Sequence, residues 1–217
     1  MYKNFFKRFF DILVSVIALP FFCLIFIIVA PLIFFTDKGP VFYNAPRLGK
    51  NGKIFKMYKF RSMYVNAPDI RLPDGSTYNS EDDYRVTKIG KILRKASIDE
   101  IPQILNVLLG QMSLVGPRPN LAPDNFDDLS EIEKKRVEVR PGITGYNQAF
   151  FRNDVTTEEK FMNDVFYIEN LSFGMDVKVI VKTFFAVLKR ENIYASTQKD
   201  VSLQDKREMA ENLKGGE

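Results

Sequence analysis

The sequence predicts a mixed α/β fold that is mainly helical, with a membrane-associated segment at its N-terminus. Of its 217 residues, 46% are hydrophobic and 27% are charged, which suits one folded domain with a real core. Three observations predict the fold. They are a long apolar run at 9–35, two strand-like segments at 41–49 and 53–63, and helical apolar patterns at 99–109, 157–169 and 174–190.

The apolar run extends from Phe9 to Phe35 and contains a single charge, Asp11. It exceeds the roughly 20 residues that a straight helix needs to cross a bilayer. It is also too long for the apolar core of a signal peptide, and no small-residue cleavage site follows it. We therefore expect it to remain in the membrane.

Pro20, near the middle of this run, predicts a break or kink because proline removes a backbone donor and clashes with the preceding turn. Both flanks of the run are basic, and basic flanks favour the cytoplasm. The cations before it are Lys3, Lys7 and Arg8, and those after it are Lys38, Arg47, Lys50, Lys53, Lys56, Lys59 and Arg61. A hairpin bent at Pro20 places both flanks on one side, whereas a kinked single span does not. These residues alone leave both arrangements open.

The rest of the chain has the pattern of a mixed domain. Between the two strand-like segments, the residues from Gly49 to Gly52 predict a turn. Further along we predict a loop at 66–85, a basic amphipathic stretch at 88–95, an irregular segment at 116–123, a polar helix at 126–138 and a turn at 140–145. The apolar helix at 174–190 would lie in the core or at a membrane surface. The predicted division is a membrane segment at 1–36, a second domain at 37–195 and a polar tail at 196–217.

The composition excludes several kinds of chemistry. The chain has no histidine, so histidine acid/base catalysis and histidine metal sites are ruled out. A lone cysteine, Cys23, forbids an internal disulfide and a Cys/His metal cluster. Any general acid or base must therefore be Asp, Glu, Lys, Tyr or that cysteine, and the net charge of +4 matters only where it is clustered.

Asp99 and Glu100 form the most suggestive pair. Either Ser97 caps the following helix in a capping box with Glu100, or Asp99 is itself the N-cap. Both arrangements place two carboxylates at a helix N-terminus, where the dipole and the nearby Arg94 and Lys95 favour ionised acids. Asp99 could then act as a nucleophile and Glu100 could hold a hard divalent cation. The alternative is that the pair merely caps the helix.

Several cations lie in stiff Pro/Gly settings, where arginine could offer fixed donors to phosphate oxygens. They are Lys59 and Arg61 in KFRSM, Arg118 in GPRP and Arg140 in RPGITG, where Gly142 and Gly145 would let backbone amides approach a ligand. The alternative for each is solvated surface charge. Together they indicate an anionic ligand with several phosphates, although no Walker or GxGxxG motif is present.

The order of these motifs is distinctive. An apolar run with a central proline is followed by KFRSM, LRKASIDEIPQILNVLLGQMSLVGPRP, VRPGITG and NLSFGMDVKVI. In this order the chain resembles the bacterial monotopic, or small, phosphoglycosyl transferases over roughly residues 1–195. Leu19 departs from the family pattern, in which a serine often precedes the membrane proline, so the details of the break differ here.

The resemblance implies a re-entrant membrane helix-break-helix and a small cytoplasmic catalytic domain with interfacial amphipathic helices. It implies transfer of a sugar 1-phosphate from a UDP-sugar to undecaprenyl phosphate with release of UMP, a first membrane step of glycoconjugate assembly such as capsule, O-antigen, exopolysaccharide or glycoprotein. The site would lie at the cytoplasmic face of the bacterial plasma membrane. By resemblance Asp99 is the nucleophile and Glu100 helps to bind Mg²⁺. The phosphate contacts fall on the matching basic residues, which are Lys59, Arg94, Arg118 and Arg140.

A different class of protein is the alternative: a single-span membrane protein whose basic region at 38–61 recruits a partner or a nucleic acid. The motif order would then be accidental, so we expect no nucleic-acid partner. The sugar, the pathway and the oligomeric state, a homo-oligomer included, stay open at the level of sequence.

Overall fold

The computed structural model describes residues 2–70, 78, 80, 82–123, 126–151 and 155–189. Its fold is mixed α/β and mainly helical, which confirms the predicted class. The helices are α1 (Lys7–Asp37), α2 (Lys88–Lys95), α3 (Gln103–Leu108), α4 (Glu131–Arg136), α5 (Tyr146–Phe150), α6 (Thr157–Glu169) and α7 (Phe173–Lys189). The strands are β1 (Phe42–Leu48), β2 (Ile54–Phe60), β3 (Ser113–Val115) and β4 (Gly142–Thr144).

Helix α1 is the longest element, with 31 residues, and a short π-helix at Tyr2–Phe6 precedes it. It continues through Pro20 and Pro31, so the predicted break into two helices at Pro20 is not seen. Each proline removes one backbone hydrogen bond, and the remaining bonds of so long an apolar helix maintain it. Helix α1 is long and apolar enough to cross a membrane, and only 17% of its most apolar window is buried, unlike the core helix of a soluble protein.

One narrow stripe of α1 packs on the rest of the protein along the whole helix. Its buried residues recur at helical spacing and are Lys7, Asp11, Ser15, Phe22, Val29 and Ile33. The large apolar side chains between them are exposed, among them Phe9, Ile17, Phe21, Leu24, Ile27, Ile28 and Phe35. Such a wide apolar face is far larger than soluble proteins usually expose.

Strands β1 and β2 form the predicted antiparallel hairpin, with Phe42 opposite Phe60. A 3₁₀ turn at Lys50–Gly52 joins them, and its left-handed residues are Asn51 and Gly52. The hairpin, α2 and α3 pack onto α1 in one hydrophobic cluster, whose buried members are Phe22, Val29, Ile33, Phe60, Leu93 and Ile104. The domain therefore shares its core with the apolar N-terminal helix.

A second cluster lies under β3, α6 and α7 and contains Val115, Val139, Ala149, Tyr167, Ile168 and Val179. Strand β3 pairs in parallel with β4, so the turn predicted at 140–145 instead contains a short strand, and α5 begins directly after it. The approach of the two backbones requires glycine. A Cβ on Gly142 would overlap the amide nitrogen of Gly116, and one on Gly145 would overlap the carbonyl oxygen of Gly116.

The structure confirms the helices predicted at 157–169 and 174–190 to within a residue, and the basic amphipathic stretch predicted at 88–95 forms helix α2. The helix predicted at 99–109 is shorter, because a 3₁₀ turn at Ile98–Glu100 precedes α3. Both caps considered for it are wrong, since Ser97 is left-handed and makes no side-chain cap bond, and Pro102 rather than Asp99 is the N-cap of α3. Much of the loop at 66–85 and all of the tail at 196–217 lie outside the described residues.

Candidate active site

Asp99 and Glu100 lie together in the 3₁₀ turn that precedes α3, and strand β2 supplies a lysine between them. The Nζ atom of Lys59 is 3.0 Å from Oδ2 of Asp99 and 3.1 Å from Oε1 of Glu100. Asp99 is buried, with 3% of its surface exposed. One cation therefore bridges two neighbouring carboxylates, which keeps the pair from repelling each other.

Arg118 completes this cluster from the irregular segment after β3. Its Nη2 donates to Oε1 of Glu100 at 2.9 Å, while about half of its side chain, 52%, remains exposed. Burial acts to raise the pKa of Glu100, but the charges of Arg118 and Lys59 outweigh it and hold that pKa well below its usual range. Glu100 is thus a carboxylate at neutral pH, and Arg118 still has donors directed to solvent.

Asn106 joins the strand that carries Lys59 to the helix that follows the dyad. This fully buried side chain accepts from the amide of Tyr58 at 2.8 Å and donates to the carbonyl of Lys56 at 2.8 Å and to Gln111 at 2.7 Å. The sequence analysis did not single it out, although a polar residue inside an apolar helical pattern could have indicated it. Its contacts keep β2 and α3 in register at the site.

A buried ion pair between α4 and α6 supports the segment that carries Arg118. Arg136 donates to Oδ2 of Asp164 at 2.8 Å and to the carbonyl of Arg118 at 3.0 Å. Burial raises the pKa of Asp164 even though the charge of Arg136 opposes this. The sequence analysis missed this pair because its members are separated by 28 residues.

Two predicted phosphate ligands on neighbouring elements differ in their placement. Arg94 donates to Oγ of Ser62 at 2.9 Å, and its helix α2 packs against the turn that carries the dyad. Arg61 is directed elsewhere. Its guanidinium binds both carboxylate oxygens of Asp37 at 2.6 Å and the carbonyl of Pro40 at 2.6 Å. Arg61 therefore joins the end of α1 to β2, and the structure gives no support for its contact with a substrate.

Arg140 also lies apart from the dyad. Its Nε donates at 2.8 Å to the carbonyl of Gly110, just beyond the C-terminal end of α3, whereas the dyad precedes the N-terminal end. The helical rise over that stretch is roughly 15 Å, so one phosphate cannot touch both. The amide of Gly142 donates to the carbonyl of Pro117, and Gly145 packs on Gly116, so these glycines serve the β3–β4 contact. Of the predicted site residues, the structure brings together Lys59, Asp99, Glu100 and Arg118.

The carboxylates of this site are suitable ligands for a hard divalent cation. No group of three or more His, Cys, Asp or Glu residues occurs within the described part of the chain, so a closed protein cage is not formed there. Magnesium is commonly held by one or two carboxylates together with waters and substrate phosphates. The carboxylates of Asp99 and Glu100 are ligands of that kind.

The protein combines a helix of membrane type with paired carboxylates and a cluster of cations. Together these features define a class of enzyme that acts on phosphates at a membrane surface. Residues 2–190 match the family described as bacterial sugar transferase, and the chain belongs to that family.

Named relatives fall into two sizes. The chain is 41% identical over 187 residues to the uncharacterized sugar transferase EpsL of Bacillus subtilis, covering 86% of this chain and 89% of EpsL. It is 42% identical over 190 residues to the galactosyl transferase CpsE of Streptococcus agalactiae, covering 84% and 42%. It is 40% identical over 189 residues to the UDP-N-acetylgalactosamine-undecaprenyl-phosphate N-acetylgalactosaminephosphotransferase of Aeromonas hydrophila, covering 85% and 44%. The chain thus spans less than half of the latter two.

Proposed function

We propose that this protein transfers a sugar 1-phosphate from a UDP-sugar to undecaprenyl phosphate and releases UMP. The observation that carries the proposal is the cluster in which Lys59 bridges Asp99 and Glu100 while Arg118 binds Glu100. The name of the Aeromonas relative supplies the donor and acceptor classes. The alternative of a nucleic-acid-binding or recruiting protein has no support from the family match.

The chemistry must bring together two phosphates that repel each other, and a protein carboxylate allows them to react in turn. An oxygen of Asp99 attacks the sugar-bearing phosphorus, the bond to the bridging oxygen breaks, and UMP leaves. The phosphosugar stays on Asp99 as a mixed anhydride. A phosphate oxygen of the polyprenyl phosphate then attacks the same phosphorus, which forms the lipid diphosphate sugar and restores the carboxylate.

The cations of the cluster would exchange partners when the donor binds. Lys59 now lies 3.0 Å from Asp99, and the anionic phosphates of the donor would compete for it. Arg118 keeps exposed donors of fixed geometry for the same oxygens. Both side chains would neutralise the charge that gathers on the transferring phosphoryl group.

Glu100, with Asp99 beside it, would hold Mg²⁺, which when bound neutralises phosphate charge and orients the donor. We expect chelation to abolish UMP release and Mg²⁺ to restore it. Glu100→Gln should lower the rate and raise the Mg²⁺ concentration that is needed. A Glu100→Gln enzyme with full activity at low Mg²⁺ would exclude this metal assignment.

The contacts of the N-terminus favour a re-entrant α1 rather than a span. Lys7 pairs with Asp176 at 2.6 Å and Arg8 donates to the carbonyl of Val107 at 2.6 Å, although both begin α1 on the N-terminal side of its apolar run. Lys3 and Lys50, which flank that helix in sequence, line one pocket. A span would place the N-terminus and the domain on opposite faces, so these contacts support both ends of α1 at the cytoplasmic face. A re-entrant path would require α1, which is continuous here, to bend at Pro20 within the bilayer.

Labelling of single cysteines tests this topology. In a Cys23→Ser background, Lys3→Cys and Lys50→Cys should react with an impermeant maleimide only in inside-out vesicles. Reaction of the two positions from opposite faces would refute the re-entrant arrangement.

Release of UMP from a panel of UDP-sugars tests the activity, and the Asp99→Asn variant tests the nucleophile. The wild type without lipid should release one UMP per active enzyme and carry the phosphosugar mass on the peptide that contains Asp99. Asp99→Asn should lose both signals while it still folds. Glu131→Gln, which alters an exposed carboxylate on α4, is the matched control. Absence of an adduct, with UMP release that always requires lipid, would mean direct transfer.

A further inference from the structure

A second basic site lies where α1 begins. Five cations line one small pocket there, and they come from three distant parts of the chain: Lys3, Lys7, Arg8, Lys50 and Arg140. The pocket also contains Asp11, whose carboxylate accepts from the hydroxyl of Ser113 at 3.0 Å and from the amide of Leu114 at 2.9 Å. Lys7 is neutralised by Asp176, and the other four cations have no salt-bridge partner among the described residues.

Arg8 and Arg140 are the two half-buried arginines of this pocket. Arg8 donates to the carbonyls of Val107 at 2.6 Å and Leu108 at 3.1 Å, and Arg140 uses only its Nε, on Gly110. Within the described chain, the two terminal nitrogens of Arg140 make no hydrogen bond. The two guanidinium groups are close enough to repel each other, so an anion between them would relieve that repulsion.

The pocket is separate from the candidate active site. The carbonyls that fix Arg8 and Arg140 belong to the C-terminal end of α3, and the dyad precedes its N-terminal end. About 10–15 Å of helical rise separates these carbonyls from the dyad, too far for a phosphate held here to react at Asp99. The ligand of this pocket is therefore not the reacting group of donor or acceptor.

We propose that this pocket binds the phosphate of an anionic phospholipid. Lys3, Lys7 and Arg8 lie just before the apolar run of α1, which sets the pocket at the depth where lipid headgroups lie. Arg140 offers the paired terminal donors that suit phosphate oxygens. The lipid would hold the first turn of α1 and the C-terminal end of α3 against the membrane surface. The proposal rests on the membrane placement of α1 proposed above, and not on the transfer reaction.

Native mass spectrometry of the full chain in detergent micelles tests the site. Dioleoylphosphatidylglycerol, dioleoylphosphatidylcholine and inorganic phosphate are titrated separately into wild type and variants. Wild type should bind one phosphatidylglycerol more tightly than phosphatidylcholine. Arg8→Gln/Arg140→Gln should weaken that binding about 25-fold, or about fivefold for each cation removed. Lys53→Gln/Lys56→Gln removes two exposed cations of the β hairpin outside the pocket and should change nothing.

Lys50→Glu keeps the test valid if the double variant misfolds, because Lys50 is exposed and its replacement spares the packing. It should weaken phosphatidylglycerol binding at least fivefold. Unchanged binding by Lys50→Glu and the folded double variant would overturn the proposal. Equal affinity for the two lipids would overturn it as well, and so would inorganic phosphate that binds as tightly as phosphatidylglycerol. Asp99→Asn should bind the lipid normally, so a failed transfer mechanism would leave this result intact.

Discussion

The buried Arg136–Asp164 pair allows the support of Arg118 to be tested through stability. Asp164→Asn removes the charge at the 2.8 Å contact and leaves a buried guanidinium without its counter-ion. Breaking such a pair costs about 3 kcal/mol when the replacement still offers an acceptor. For a chain of this size that corresponds to a fall in Tm of about 6–12 °C. Far-UV circular dichroism of the detergent-solubilised protein, at one scan rate, measures it.

An apolar pair at these two positions gives a second expectation. Burying two charges costs about as much as their attraction returns, so well-packed apolar side chains should be tolerated there. Arg136→Met/Asp164→Leu should regain most of the lost stability.

The same two helices provide the control. Lys135 and Glu169 also join α4 to α6, but both are exposed. Glu169→Gln should therefore change stability by less than about 1 kcal/mol. Measuring enzyme activity distinguishes an effect on helix packing from an effect on the position of Arg118. The double variant lacks the donor to the carbonyl of Arg118, so it should regain stability and keep a raised KM for the UDP-sugar. An Asp164→Asn protein as stable as wild type, or a double variant no better than Asp164→Asn, would refute the reasoning.

Three further outcomes can be checked, the first two with the same unfolding assay and the third with enzyme kinetics. Asn106→Ala should lower the free energy of unfolding by about 3–4 kcal/mol, because three hydrogen bonds are lost and their buried partners are left without a bond. A decrease below about 1 kcal/mol would contradict this. Gly142→Ala should prevent folding, because its Cβ would overlap the facing backbone, whereas Gly174→Ala meets open space and should stabilise α7 by up to about 1 kcal/mol. Arg118→Lys keeps the charge but loses the fixed fork of donors, so kcat/KM for the UDP-sugar should fall while Tm holds; unchanged kcat/KM would exclude a bidentate role.

The hairpin and the longer helices could be predicted because their signals are local. Turn residues bound β1 and β2, and α6 shows helical spacing after a Thr156 that forms the capping box. The direction in which a side chain points could not be predicted from such local signals. Arg61 and Arg140 lie in motifs as stiff as that of Arg118, yet tertiary packing directs them to Asp37 and Gly110.

Long-range polar contacts account for most of what the sequence did not predict. Arg136 lies on a helix predicted to be polar and Asp164 on a helix of predicted apolar pattern, and nothing within either helix indicates its partner. Asn106 reaches back to the strand of Lys59 across 48 and 50 residues. At Pro20 the local rule was correct about the lost donor, but one missing bond did not divide a helix of 31 residues.

The shared core of α1 and the domain affects how the protein can be produced. A chain shortened to begin after Asp37 would lose Phe22, Val29 and Ile33, half of the buried residues in that cluster. The remaining members, such as Phe60 and Leu93, would face water, and the shortened chain would aggregate rather than yield a soluble enzyme. The domain can complete its packing only when α1 is in position against it, so folding of the domain depends on the placement of the first helix.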